Sequence, residues 1–291
     1  MTLRDILEHA AKEKWATGHF NASELDQMRA IVEACREVGA PAIIGTSEGE
    51  RKHFGLAEVV ALRDVMRKEF NVPLFLNADH TKSVEKAKEA IDAGYDSIHI
   101  DLSALPFAEN IAGTKEVVDY AHAKNYAENR DISIEGELGY LRGESKIQHE
   151  KIVVGKEDYT DPQQTAEFVE RTGVDRLAIA IGNIHGISLD EPDLDVARIK
   201  AIRVAVHEHV ALVLHAGSGI PNEQIRAAID AGITNIHINT DLRVAFVREL
   251  KRAMTEDSEE AAMYKLDAPA IKAMKEVVKE KLQLFGSVDK I

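Results

Sequence analysis

Two ten-residue stretches, DAGYDSIHID at 92–101 and DAGITNIHIN at 230–239, are near copies of each other. Each carries the end of a helical pattern through a glycine, Gly94 or Gly232, into a short apolar run that stops on a polar residue. Short apolar runs bounded by turn residues read as buried strands. Apolar residues three or four apart read as helices with one buried face. A helix–Gly–strand unit met twice points to an architecture in which helices and strands alternate.

The alternation runs along the whole sequence. Strand-like runs fall at 16–21, 41–45, 73–76, 97–101, 132–138, 176–182, 212–214 and 235–239. A helical pattern at 2–14 precedes them. Others follow at 24–38, 56–70, 84–93, 108–124, 163–172, 194–206, 222–231, 241–254 and 268–284. Eight strands, each followed by a helix, is the count that closes a barrel. The sequence therefore predicts an α/β protein, a (β/α)8 TIM barrel with an N-terminal helix and an extra C-terminal helix. No Pro-, Gly- or Ser-rich linker interrupts it, so 1–291 is expected to be a single domain. The polar stretch 139–162 is expected to be a functional loop over a site rather than a boundary.

Composition narrows the classes of partner. With 36 basic against 50 acidic residues the net charge is −14, which argues against nucleic acid or an anionic membrane as a partner. Cys35 is the only cysteine and falls on the apolar face of a helical pattern, so no intrachain disulfide or thiolate zinc site is expected. The amphipathic start lacks the pattern of a signal peptide, and no apolar run is long enough for a membrane span. A cytoplasmic location is expected.

The active site of such a barrel lies at the C-terminal ends of its strands. Those ends carry Asn21, Asp79, His80, Asp101, Glu135, Glu137, His185, His215, His237 and Asn239. His80, His185 and His215 follow strands three, six and seven, and would converge over one mouth. Three histidines suit Zn²⁺ with a position left open for substrate. His122, His149, His207 and His209 lie in helices or loops and are read as having no part in the site. In LVLHAGSG, at 212–219, His215 leads at once into Gly217-Ser218-Gly219, just before a helix starting near Pro221. Asn239-Thr240 opens the helix after strand eight. The loops after strands seven and eight are the usual phosphate site of this fold, where backbone N–H groups and helix dipoles face an anion.

These residues resemble the class II, zinc-dependent ketose-bisphosphate aldolases, of the fructose- and tagatose-bisphosphate kind. The resemblance rests on Phe20-Asn21, Asp79-His80, the run from Asp101 through Ser103, Pro106 and Phe107 to Asn110, and Glu135-Gly136-Glu137-Leu138-Gly139. It continues in Gly182 with His185-Gly186, in His215 with Ser218-Gly219, and in Asn239-Thr240, and reaches Phe285-Gly286-Ser287. It implies metal-dependent aldol cleavage or condensation of a phosphorylated ketose, giving dihydroxyacetone phosphate and an aldehyde. His80, His185 and His215 resemble the zinc ligands, with Glu137 a carboxylate that joins them. Asp79 resembles the acid/base at the C4 oxygen. Gly186, Gly217, Ser218, Asn239 and Thr240, with His237, resemble the cradle of the substrate and its 1-phosphate, and Asp101 a group behind the metal. A monovalent cation near the carbonyls of Gly186 and Ala216 is also implied. So are another divalent metal in place of zinc, a phosphorylated-sugar partner, and a homodimer or homotetramer.

Four features depart from the pattern. Ser145 stands in register with the family's loop Glu, and Glu144, one residue earlier, is the candidate catalytic replacement. His237 occupies the place of an Asn. The Arg tied to the distal phosphate has no counterpart around 260–266, leaving Arg51, Lys82 and Lys265 as stand-ins. Ala216 replaces a common Gly, which is tolerated at negative φ and strained at positive φ. The departures keep two alternatives open: a diverged paralogue that binds metal or sugar phosphate without turnover, and a sugar-phosphate epimerase or isomerase.

Overall fold

The computed structural model describes residues 1–188 and 193–291. Eight parallel strands close into a barrel in the order β1-β10-β9-β7-β5-β4-β3-β2. They are β1 (Thr17–Asn21), β2 (Ala42–Thr46), β3 (Leu74–Thr81), β4 (Ser97–Ile100), β5 (Ser133–Leu138), β7 (Arg176–Ile179), β9 (Ala211–Leu214) and β10 (Ile233–Ile238). The helices α2 (Leu25–Val38), α4 (Leu56–Phe70), α5 (Val84–Ala93), α6 (Phe107–Glu128), α7 (Pro162–Thr172), α8 (Val196–Ala205), α9 (Asn222–Ala231) and α10 (Thr240–Glu256) stand between them. The extra C-terminal helix is α11 (Met263–Phe285), packed on α10 and α2.

The N-terminal helix α1 (Leu3–Glu13) closes the bottom of the barrel. Its Leu3, Ile6, Leu7 and Ala10 are buried with Trp15, Ile43, Phe75 and Ala211 in a small core of their own. The main core lies between strands and helices, because alternate strand residues face opposite ways. Ile98, Ile100, Leu177, Ile179, Ile236 and Ile238 join that outer layer. Their neighbours Ser97, His99, Arg176, Asn235 and His237 face the barrel axis and are buried too.

Arg176 organises this polar interior. Its guanidinium donates to Ser133 Oγ (3.2 Å), Asn235 Oδ1 (3.3 Å), Asn77 Oδ1 (3.1 Å) and Ser97 Oγ (2.8 Å). It also meets Glu135 Oε2 at 2.7 Å, with both side chains fully buried. Burial alone would raise the Glu135 carboxyl, but the Arg176 charge and the surrounding histidines hold it below its ordinary value. Arg176→Met leaves that buried carboxylate without its cation, and is expected to destabilise the fold by about 3–5 kcal/mol. The midpoint of denaturant unfolding measures it.

Three segments differ from the sequence expectation. The third strand does not stop at Leu76 but runs on through Thr81, with a register shift against β4 between Ala78 and Thr81. Polar Asn77 and Asp79 read as an ending in sequence, yet here they face the barrel interior. The bulge puts Asp79 and His80 on the rim, a common device beside active sites. Residues 47–51 are helical: α3 (Glu48–Phe54) starts on a capping box between Ser47 and Glu50. The 139–162 stretch contains β6 (Gly143–Ile147), which pairs in parallel with β8 (His185–Ile187). Close approach requires glycine there, since a Cβ on Gly143 (φ 91°) would sit 2.6 Å from the His185 carbonyl oxygen. The expected loop thus folds over the mouth as a short strand.

Candidate active site

One cavity opens at the C-terminal ends of the strands. It is lined by Asn21, Asp79, His80, Ser145, His185, Gly186, His215, Ala216, Ser218, His237, Asn239 and Thr240. His80, near the end of β3, meets His215, just past β9, with His80 Nε2 3.2 Å from His215 Nδ1. His80 Nδ1 lies 2.7 Å from Asp101 Oδ2, and His215 Nε2 lies 2.6 Å from Glu135 Oε1.

Those two carboxylate contacts fix the tautomers. Burial works against ionisation of Asp101, but the His80 hydrogen bond and the neighbouring His99, His80 and Lys82 charges hold it far below the usual carboxylate range. An ionised carboxylate only accepts, so the ring nitrogen facing it carries the hydrogen. His80 Nε2 and His215 Nδ1 are then two lone pairs aimed at each other. Two acceptors at that distance repel unless a cation lies between them. A proton is one such cation: burial is outweighed at His80 by Asp79 and Asp101, which raise its pKa. Burial, with His99 and His80 nearby, drives His215 well below its usual value. A divalent metal is the other, bound as the proton leaves. Two nitrogens on a tetrahedral zinc at about 2.0–2.1 Å stand about 3.3 Å apart, close to the spacing found here. Histidines whose far N–H groups are tied to carboxylates are the usual arrangement behind a metal. The donor set fits a metal.

The remaining expected ligands are placed less directly. The His185 ring packs 4.9 Å from the His80 ring, centroid to centroid. Among the described residues, one group whose ligand atoms lie within 4.8 Å of one another holds Asp79, His80, His99 and His215, another holds His80, His99, Asp101 and Glu137, and none of the groups includes His185. Glu137 is set on the opposite edge of His80, with Oε2 3.9 Å from Nδ1 and 3.0 Å from His99 Nε2. It therefore stands behind the imidazoles rather than at their converging nitrogens.

Asp79 is held by one oxygen only. Its Oδ2 accepts from Asn21 Nδ2 at 3.0 Å, while Oδ1 is buried without a hydrogen bond. His237 Nδ1, equally without one, is 3.5 Å from that oxygen. His237 is fixed by stacking on His19, with centroids 3.5 Å apart and planes 5° apart, and by Nε2 facing Asn235 Oδ1 at 3.2 Å. Burial beside His19 and His215 drives the His237 imidazole well below its usual pKa, so it stays neutral. Both residues line the cavity, while these two atoms lie just beneath its surface, with His99 Nδ1 also 3.6 Å from Asp79 Oδ1.

The anion turn has a division of labour that its sequence does not show. Ser218 Oγ accepts from the backbone N–H of Asn239 (3.3 Å) and of Asp241 (3.2 Å), which leaves its own hydrogen free for a ligand. Gly217 departs from expectation: its N–H donates to the His237 carbonyl at 2.9 Å and is not free for phosphate. A Cβ there would lie 2.7 Å from Ile236, so the glycine serves close packing against β10. Gly186 (φ 101°) passes under β6, where a Cβ would lie 2.2 Å from the Lys146 carbonyl oxygen. Ala216 adopts φ 56° and His80 φ 42°, so both carry left-handed strain at the site. Ala216→Gly removes about 1–2 kcal/mol of that strain and adds about 0.5–1 kcal/mol of unfolded-chain freedom. A Tm rise of about 1–3 °C in a thermal melt is expected.

Glu144 does not enter the site. Alternation along β6 turns its side chain outward, 74% exposed and paired with Lys146 at 2.6 Å, and brings Ser145 to the cavity instead. Of the three candidate distal cations, Arg51 is buried and committed to the carbonyls of Thr46 and Asp79 and to Thr81 Oγ1 (3.1 Å). Lys265, on α11, pairs with Glu260 ahead of that helix, and Lys82 pairs with Asp101 at the mouth, its side chain 59% exposed. Sequence reasoning missed His19, His99, Glu50 and Arg243. His99 had a signal, since it holds in one near-copy the place His237 holds in the other.

A closed barrel with a metal-capable histidine pair beside an anion turn defines a metal-dependent barrel enzyme. Residues 1–290 match the family described as fructose-bisphosphate aldolase class-II, and the chain belongs to that family. A fructose-bisphosphate aldolase of Geobacillus stearothermophilus is 38% identical over 293 residues, covering 100% of this chain and 98% of that one. One of Staphylococcus aureus is 37% identical over 290 residues, covering 99% and 97%. The crystal structure of the YdjI aldolase of Escherichia coli K12 superposes with a TM-score of 0.82 at 33% identity, covering 100% and 99%. The chain is thus an aldolase, a lyase acting through a divalent metal on a phosphorylated ketose, and the non-catalytic and epimerase alternatives are not favoured. No helix among the described residues is long and apolar enough to cross a membrane.

Proposed function

We propose that this chain cleaves a ketose 1-phosphate or 1,6-bisphosphate between C3 and C4, with zinc on His80 Nε2, His215 Nδ1 and His185. The observation that carries this reading is the pair of facing lone pairs, each fixed by a buried carboxylate on the far side of its ring. When bound, zinc supplies Lewis acidity toward the ketose carbonyl. Asp101, Glu135 and Glu137 hold the imidazoles in register. Ser218, Thr240, Asn239 and Gly186 surround the C1 phosphate, which lies at the positive end of the α10 dipole. Asp79, ionised and at the cavity wall, takes the C4 hydroxyl proton as the bond to C3 breaks, with the neutral His237 ring packed beside it. Asn21 keeps Asp79 Oδ2 from turning into the cavity. A homodimer or homotetramer, and a monovalent cation beside the Gly186 and Ala216 carbonyls, belong to this reading through the family resemblance.

Because Lys82 alone of the three distal candidates is at the mouth, binding is expected to rest on the 1-phosphate. A retro-aldol panel of ketose 1-phosphates and 1,6-bisphosphates, with and without a chelator, tests both points through dihydroxyacetone phosphate release. Chelator-sensitive release with KM values for the two classes within about tenfold of each other is expected, since an exposed charge pair adds little over about 1 kcal/mol. Release from no substrate contradicts the aldol reading. Release from bisphosphates alone contradicts the phosphate assignment.

A further inference from the structure

A chain of contacts crosses the mouth from α10 to β3 and ends on the fixed oxygen of Asp79. Arg243, on the second turn of α10, meets Glu50 Oε1 at 2.5 Å through one terminal nitrogen. Glu50 Oε2 accepts from Asn21 Nδ2 at 2.9 Å, and the same Nδ2 donates to Asp79 Oδ2 at 3.0 Å. Both hydrogens of the Asn21 amide are thereby spent on carboxylates. Arg243 also donates from its other terminal nitrogen to the Ser145 carbonyl at 3.4 Å, which ties β6 to the same strap. Glu50 is buried, with its side chain 7% exposed, and does not line the cavity, whereas the Arg243 side chain is 45% exposed.

We propose that Glu50 and Arg243 are positioning residues for Asp79. Two carboxylates share one amide, and that is favourable only while a cation balances the outer one, because a buried carboxylate without a partner is costly. Arg243 provides that balance, so Asn21 can hold Asp79 Oδ2 and fix how the carboxylate is turned toward the substrate proton. Through the Ser145 carbonyl the same guanidinium sets the height of the loop strand above the substrate. Neither residue touches the reacting atoms. Their influence reaches the reaction through the Asn21 amide, and an oxygen displaced by a fraction of an ångström loses the alignment on which proton transfer depends. The inference rests on the acid/base role proposed above for Asp79.

The test compares Glu50→Gln, Arg243→Ala, Arg243→Lys, the Glu50→Gln/Arg243→Ala pair and Asp79→Asn, each as full-length enzyme with measured metal content and melting temperature. Glu50→Gln keeps the side-chain volume and an acceptor for Asn21, so the strap remains testable if Arg243→Ala does not fold. Glu50→Gln and Arg243→Ala are each expected to lower kcat about 10–100-fold with KM within about twofold and metal content at wild-type level. Lysine at 243 is expected to recover part of kcat, because it restores the charge but not the second donor to Ser145. The double variant is expected to match the worse single variant. Multiplying losses, a kcat within twofold of wild type, or a rise in KM alone overturns the strap while Asp79→Asn remains inactive. An active Asp79→Asn enzyme overturns the acid/base assignment itself.

Discussion

Replacing His215 with alanine is expected to remove the bound metal and, with it, aldol cleavage. His215 supplies one of the two nitrogens that face each other at 3.2 Å, and its Nε2–H is anchored on Glu135 at 2.6 Å. Loss of an outer partner of a metal-bound histidine typically costs about 10–100-fold in affinity or activity. Loss of the ligand itself takes away a bond and the preorganisation of the site, and at least ~1000-fold weaker metal binding is expected. The fold should survive, because Glu135 keeps its ion pair with Arg176 at 2.7 Å when the imidazole is gone. Metal content per chain after dialysis, read beside the circular dichroism spectrum, checks this. A folded His215→Ala enzyme that keeps one metal per chain and wild-type turnover contradicts the assignment.

The second large effect is expected at Asp79. Burial would push its carboxyl up, but the adjacent His80 charge and the His237 and His99 rings hold it well below the usual range. It is therefore a carboxylate throughout the neutral range, as a proton acceptor must be. Asp79→Asn preserves shape and the oxygen that accepts from Asn21, and removes only the capacity to take a proton. A general base is worth about 10²–10⁴-fold, so kcat should fall by that factor with KM and metal content nearly unchanged. Steady-state kinetics on the metal-loaded variant measures it. Sign and site go together: a fall in metal content instead would make Asp79 a ligand, as its place in the cluster with His80, His99 and His215 permits.

The sequence made the scaffold legible because each outward strand face is apolar and each helix has one buried face. Helices such as Leu56–Phe70, Val84–Ala93 and Asn222–Ala231 follow directly from that periodicity. The barrel interior was not legible in the same way. Asn77, Arg176 and Asn235 are polar residues at inward positions, and a reading that stops a strand at its first polar residue places β3 five residues short. What satisfies them is one guanidinium reaching four strands, a contact with no local signature. His99 is another inward residue in an apolar run, and its one sequence signal is its match to His237 in the second near-copy.

The site divided along similar lines. His80, His185, His215, Asp79, Ser218, Asn239 and Thr240 line one cavity, as their positions at strand ends predict. Glu144 points away from the cavity because the loop carrying it forms a strand, and strand alternation decides which of two adjacent side chains faces inward. The Gly217 N–H is taken by the strand beside it, a bond that spacing cannot reveal. Glu50 and Arg243 lie 193 positions apart and meet only through the fold.

The most direct measurement is a crystal structure of the zinc-loaded enzyme with anomalous scattering collected at the zinc edge. One strong peak within bonding distance of both His80 Nε2 and His215 Nδ1, about 2.0–2.1 Å from each, is the result predicted. A peak lodged among His19, Asp79 and His237, or away from the histidines altogether, would contradict it.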